Sequence, residues 1–88
     1  MVDKTRLIQV KIVSPERVLF DGQVESVILP GESGVFEVQP YHKRLLSRLL
    51  GGRVMVGKES FYIRRGVAKI GINQVTIIAE EAPEDNTQ

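Results

Sequence analysis

The chain has 88 residues, no cysteine and a net charge of +1. That is one small domain, large enough to bury a core without disulfides or a structural metal, and it excludes thiolate ligation and a cysteine nucleophile. No stretch approaches the ~20 consecutive apolar residues that span a bilayer, and residues 1–6 lack the layout of a secretory signal, so no direct membrane insertion is expected.

Residues 7–13 alternate, with Ile8, Val10 and Ile12 on one face and Gln9 and Lys11 on the other, and predict a half-buried strand. Ser14-Pro15-Glu16 breaks it, because proline cannot donate to a sheet ladder, and residues 17–20 resume in extended form. Asp21-Gly22 then predicts a hairpin turn. The return strand runs from Gln23 to Leu29, where Val24 is out of phase with Val27 and Leu29, as a bulge or burial on both faces would require.

From Leu29 to Leu50 two constrained loops bracket one short strand. Pro30-Gly31 and Gly34 predict a tight loop with glycines at positive φ, and Phe36 and Val38 share the inward face of the strand that follows, which puts Phe36 in the core. A second turn occupies Gln39-Pro40-Tyr41-His42. Leu45, Leu46, Leu49 and Leu50 then have the spacing of a helix face. Pro40 and Gly51-Gly52 leave such a helix at most about two and a half turns.

Beyond Gly51-Gly52, strands are predicted at 53–56, 60–64, 67–70 and 75–80, with turns at Gly57-Lys58-Glu59, at Arg65-Gly66 and over 71–74. Short strands at these intervals give an all-β class, a small β-sandwich or flattened barrel of about 8–10 strands. The domain is assigned to residues 1–80, and residues 81–88, acidic and polar with Pro83 among them, are expected to be a disordered tail. Charge is uneven. Eight basic residues fall between Lys43 and Lys69 against Glu59 alone, which reads either as a solvated surface or as an attractive field for a partner.

Several stretches together resemble the epsilon subunit of F-type ATP synthases. That pattern has Leu-Pro-Gly, two variable residues, Gly and a Phe-Gly-Val strand, then Pro-Gly-His, a small residue, Pro and Leu-Leu. Leu29, Pro30, Gly31, Gly34, Phe36, Val38, Pro40, His42, Leu45 and Leu46 match it in spacing. The resemblance extends from Leu7 through Ser14-Pro15-Glu16 to the last strand, Val75 to Glu80. The chain departs at Glu37 and Tyr41, where the family favours Gly, at Lys43-Arg44, where it favours a small residue and Pro, and at Arg65, where it has Gly.

The resemblance implies an extended segment, not a helix, at the doubled leucines. It also implies a non-catalytic rotor subunit that couples rotation of the membrane c-ring to the gamma subunit in proton-driven ATP synthesis, peripheral on the cytoplasmic face of the bacterial inner membrane. Its gamma contacts would be Ser14, Tyr41, His42, Lys43 and Arg44, and its c-ring contacts Glu32, Ser33, Gly34 and Val35. Many members continue into a two-helix hairpin. Here only eight residues follow Glu80, so no C-terminal helical domain, no ATP binding and no hairpin brake are expected, as in a naturally short member.

The residues themselves offer no catalyst. One histidine, no cysteine and carboxylates placed mostly in turns do not make a constellation of acid, base and nucleophile. His42 has no partner at metal-ligand spacing, and the Gly31–Gly34 loop lacks the Gly-Lys-Ser/Thr ending of a phosphate loop, so neither metal nor cofactor is expected. His42 itself reads as a loop-fixing hydrogen-bond donor or as an interface residue. The alternative to a rotor subunit is a small basic β-barrel holding single-stranded nucleic acid on Tyr41 and Tyr62. A binding groove of that kind interleaves aromatics with basic residues, and the basic region holds only Phe61 and Tyr62, so no nucleic acid is expected.

Overall fold

The computed structural model describes residues 6–83. Eight strands follow one another: β1 (Ile8–Val13), β2 (Val18–Val24), β3 (Val27–Gly31), β4 (Gly34–Val38), β5 (Leu45–Leu49), β6 (Gly52–Val56), β7 (Glu59–Gly71) and β8 (Gln74–Glu81). Their hydrogen-bonded order is β2-β1-β8-β7-β5-β3-β4, with β6 joining β3 to β7. β1 lies between β2, to which it is antiparallel, and β8, to which it is parallel. All other pairings are antiparallel, and the result is the expected β-sandwich.

The period-two pattern of each strand decides what goes inside. Ile8, Val10 and Ile12 of β1, Val75, Ile77 and Ala79 of β8, and Ala68 and Ile70 of β7 are buried, and they meet Leu29, Leu49, Val54 and Val56 in one core. Burying an aliphatic side chain of this size is worth roughly 1.5–3 kcal/mol. Phe20 and Phe61 pack against this core edge to face, with centroids 6.3 Å apart.

Three turn or strand expectations are corrected. Asp21-Gly22 lies inside β2, opposite Lys11 and Val10, and makes no hairpin turn. The turn is one step earlier, where Ser14 Oγ accepts hydrogen bonds from the backbone N–H groups of Glu16 and Arg17 and Ser14 N–H donates to Arg17 O. A side-chain oxygen that satisfies two amides closes a turn without the positive φ that Asp-Gly would supply. The phase slip between Val24 and Val27 is a strand break at Glu25-Ser26, not a bulge.

Arg65-Gly66 is no turn either. β7 is one strand of 13 residues, pairing β6 with its first half and β5 with its second, with a register shift between Ile63 and Arg65. Such a shift bends a strand, and the bend carries β7 from one layer of the sandwich into the other. A Cβ on Gly66 would stand 2.7 Å from Ile78 O, so glycine is needed there for close backbone approach and not for a turn.

The doubled leucines are extended, in β5, as the resemblance implies. β8 runs through Glu81, one residue past the assigned domain boundary, and Arg17 Nη2 donates to Glu81 Oε2 at 2.6 Å, tying the β1–β2 turn to the end of β8. That hydrogen bond first, and the carboxylate charge second, raise the Arg17 pKa above its ordinary value. Residues 84–88 of the expected tail lie outside the described residues.

Candidate functional site

The two loops singled out in sequence flank opposite ends of β5. At one end is the β3–β4 turn, Glu32-Ser33, whose Glu32 carboxylate sits 3.4 Å from Arg48. Both side chains are exposed, so this contact orients the loop more than it stabilises it. Gly34 has φ +127° and open space around it, as a turn glycine should. Gly31 does not, and the positive φ expected there is corrected: the Phe36 ring lies over it and leaves no room for a Cβ. Phe36 is therefore half-buried against the core instead of enclosed by it. Val35 is 74% exposed.

At the other end is the turn of residues 39–42. His42 N–H donates to Gln39 O at 3.2 Å, and Tyr41 holds a left-handed φ of 66°. This explains the glycine that the resemblance leads one to expect at that position, since a side chain there is strained. Asn73, itself at φ 60° in the β7–β8 turn, accepts the Tyr41 N–H on Oδ1 at 2.6 Å and takes Gln9 N–H on its main-chain oxygen. One asparagine thus ties this turn to the β7–β8 turn and to β1. His42 Nδ1 lies 2.7 Å from Lys43 O, which fits the loop-fixing reading of this residue.

Tyr41, His42, Lys43 and Arg44 are brought together by this turn, and Glu32, Ser33, Gly34 and Val35 by the other. Ser14 joins neither. It follows Val13, which pairs Ile78, whereas Asn73 precedes Gln74 at the opposite end of β8, ~16 Å away along the strand. Its hydroxyl is spent on its own turn and the residue is buried.

Between these places runs a feature missed in sequence. Leu46 and Leu50 on β5 and its end, Val67 on β7, Ile78 on β8 and Val18 on β2 are all exposed. Register sets Arg48 beside Val67, Val67 beside Ile78, Ile78 beside Val13 and Val13 beside Val18, so an apolar band crosses four strands on the outward face. Exposed bands of this kind mark protein interfaces. The signal was the doublets Leu45-Leu46 and Ile77-Ile78: in a strand, one member of each must point outward.

Among the described residues the aromatic and basic side chains are not interleaved in one groove. Among the described residues Tyr41 is the one exposed aromatic, Tyr62 is half-buried and Phe61 packs on the core. No group of three or more metal-ligating side chains comes together among the described residues.

Residues 7–85 match the family described as ATP synthase, Delta/Epsilon chain, beta-sandwich domain. The chain is similar to the ATP synthase epsilon chain of Maricaulis maris, with 44% identity over 75 residues, covering 81% of this chain and 56% of the relative. With that of Nitratiruptor it shares 40% identity over 80 residues, covering 85% and 62%. With that of Hyphomonas neptunium it shares 41% over 87 residues, covering 93% and 62%. The chain thus spans under two thirds of the length of these relatives. Two cryo-electron microscopy structures share the fold. One is a chain of the Euglena gracilis mitochondrial ATP synthase OSCP/F1/c-ring, with a TM-score of 0.80, 19% identity and coverage of 89% of this chain and 53% of that one. The other belongs to the central stalk and c-ring of the Tetrahymena thermophila mitochondrial ATP synthase, with a TM-score of 0.72, 12% identity and coverage of 92% and 77%.

Proposed function

The chain belongs to the delta/epsilon chain family of ATP synthases by its β-sandwich domain, and on that footing we propose that it is a non-catalytic subunit of the enzyme's rotor. In this reading it binds the gamma subunit and rests on the c-ring loops, so that rotation of the ring in proton-driven ATP synthesis reaches gamma without slip. The complex places it peripherally, on the cytoplasmic face of a bacterial inner membrane, and no cofactor or ATP takes part in its own role.

The observation that carries this reading is the apolar band across β2, β1, β8 and β7, with the exposed Leu46 and Leu50 beside it and a rigid loop at either end of β5. A loop tip gives a small contact and a sheet face a large one. Stable interfaces bury on the order of 800 Å² per partner. The band is therefore assigned to gamma, together with Tyr41, His42, Lys43 and Arg44, and the exposed tip at Glu32, Ser33, Gly34 and Val35 to the c-ring. Ser14 keeps a gamma contact only through its turn, at the far end of the band.

Co-purification decides it. Tagged gamma from the same source should retain this protein at physiological salt, while a labelled single-stranded oligonucleotide should not bind it. Retention of the oligonucleotide with no binding to gamma would overturn the rotor assignment in favour of a nucleic-acid module.

A further inference from the structure

β5 is bonded to β7 along its whole length, from Leu45↔Ile70 to Leu49↔Gly66, but meets β3 at the single pair Gly31↔Leu49. Its other edge is therefore open from Leu45 to Arg48. Leu50 N–H donates to Pro30 O on that edge, and main-chain groups alternate along a strand, so Leu46 N–H and C=O and Arg48 N–H face the same way with no strand to meet them. The Ser47 hydroxyl, which donates to Arg48 O, is a local substitute for part of a ladder.

Open edges are ordinarily guarded by charge, proline or a bulge. β2 carries Asp21 and a register shift. The open stretch of β5 offers two exposed leucines, and faces β4 across a groove of ≈ 450 Å³ lined by residues 31–36 and 45–48, so that an added strand would run beside the tip assigned to the c-ring. At its head stand Lys43 and Arg44, neither within 4 Å of a carboxylate among the described residues.

We propose that the open edge of β5 accepts one extended segment of the gamma subunit as an added strand, apolar along the groove and acidic where it passes Lys43 and Arg44. This rests on the gamma reading above and specifies how part of that contact is made. An unpaired edge selects an extended chain over a helix, because only an extended chain returns the missing hydrogen bonds. The two cations select carboxylates at one end of that segment and disfavour a basic one. Lys43-Arg44 replaces the small residue and proline of the family pattern, so the charge preference is a property of this chain.

The test is amide exchange in the full chain, alone and bound to gamma. Exchange at Leu46 and Arg48 should slow in the complex, while Leu45 and Ser47, already bonded to β7, should change little. Leu46→Pro removes the outward N–H without touching the β7 ladder, a placement edge strands tolerate, and should weaken gamma binding by about tenfold or more. Leu46→Val, which keeps the N–H, should weaken gamma binding less than Leu46→Pro does. Gamma binding with unchanged exchange at Leu46 overturns the added strand and leaves the gamma reading intact; absence of gamma binding overturns both. A dimer of this chain that Leu46→Pro abolishes assigns the edge to a second copy and also overturns the proposal. If Leu46→Pro does not fold, the exchange measurement on the parent protein decides alone.

Discussion

The ring of Phe36 covers Gly31 so closely that a Cβ built there would lie 2.6 Å from Phe36 Cε1 and 2.9 Å from Cδ1. The two residues are diagonal neighbours across the β3–β4 ladder, and the ring takes the place of the missing side chain. Gly31→Ala should cost about 1–3 kcal/mol through overpacking. In a Phe36→Ala background the same change should cost far less, because the two residues are coupled. Urea melts of the four proteins measure the coupling, and strict additivity would disprove the contact. Phe36→Ala alone should fold, at a cost of about 2 kcal/mol, below the range for a fully buried phenylalanine.

Tyr41 is strained and Asn73 holds it. Tyr41→Gly removes the left-handed penalty and, net of the added freedom of the unfolded chain, should stabilise by about 1 kcal/mol, a rise of roughly 4–8 °C in melting temperature. Asn73→Gly keeps the permitted backbone and deletes the acceptor, so the Tyr41 amide should exchange faster. A lower melting temperature for Tyr41→Gly would show that the tyrosine ring contributes more than its backbone costs.

Lys43 and Arg44 are exposed and free of acidic neighbours among the described residues. Exchanging both for Glu should slow association with gamma at low salt and change it little at high salt, since exposed charges act through a screened field. Stopped-flow association at two ionic strengths checks this. An unchanged rate at low salt would return the pair to the solvated surface.

Val35, 74% exposed beside the β3–β4 turn, is one of the residues proposed to meet the c-ring. Val35→Cys should cross-link to a cysteine in a c-ring loop of the assembled complex. Links to gamma alone would reverse the orientation of the domain on the stalk.

Alternation made the core legible, because Ile8, Val10 and Ile12 or Val75, Ile77 and Ala79 state their burial in their spacing. Turns were less legible where two residue types compete for the same job. Asp21-Gly22 has hairpin composition, yet Gly22 pairs Val10 inside β2 and the Phe20 ring lies 3.4 Å from its Cβ position. Gly66 was misread for a similar reason: the close approach of Ile78 O comes from a strand 12 residues further on, which no local pattern reports. The loops of the candidate site were visible as Pro, Gly and His punctuation. The apolar band was not, since it exists only once register aligns Val18, Val13, Ile78 and Val67.

The parallel pairing of β1 with β8 has a mechanical consequence. The first strand and the last lie side by side and point the same way, joined over five register pairs from Gln9↔Gln74 to Val13↔Ile78. A force drawing Ile8 and Glu81 apart along the strands loads that seam in shear, so its hydrogen bonds bear the tension together and cannot be peeled one at a time. Resistance to forced extension is a matter of unfolding rate and not of equilibrium stability. A domain gripped at its ends would therefore hold its shape under a pull that readily unzips an antiparallel hairpin of equal length.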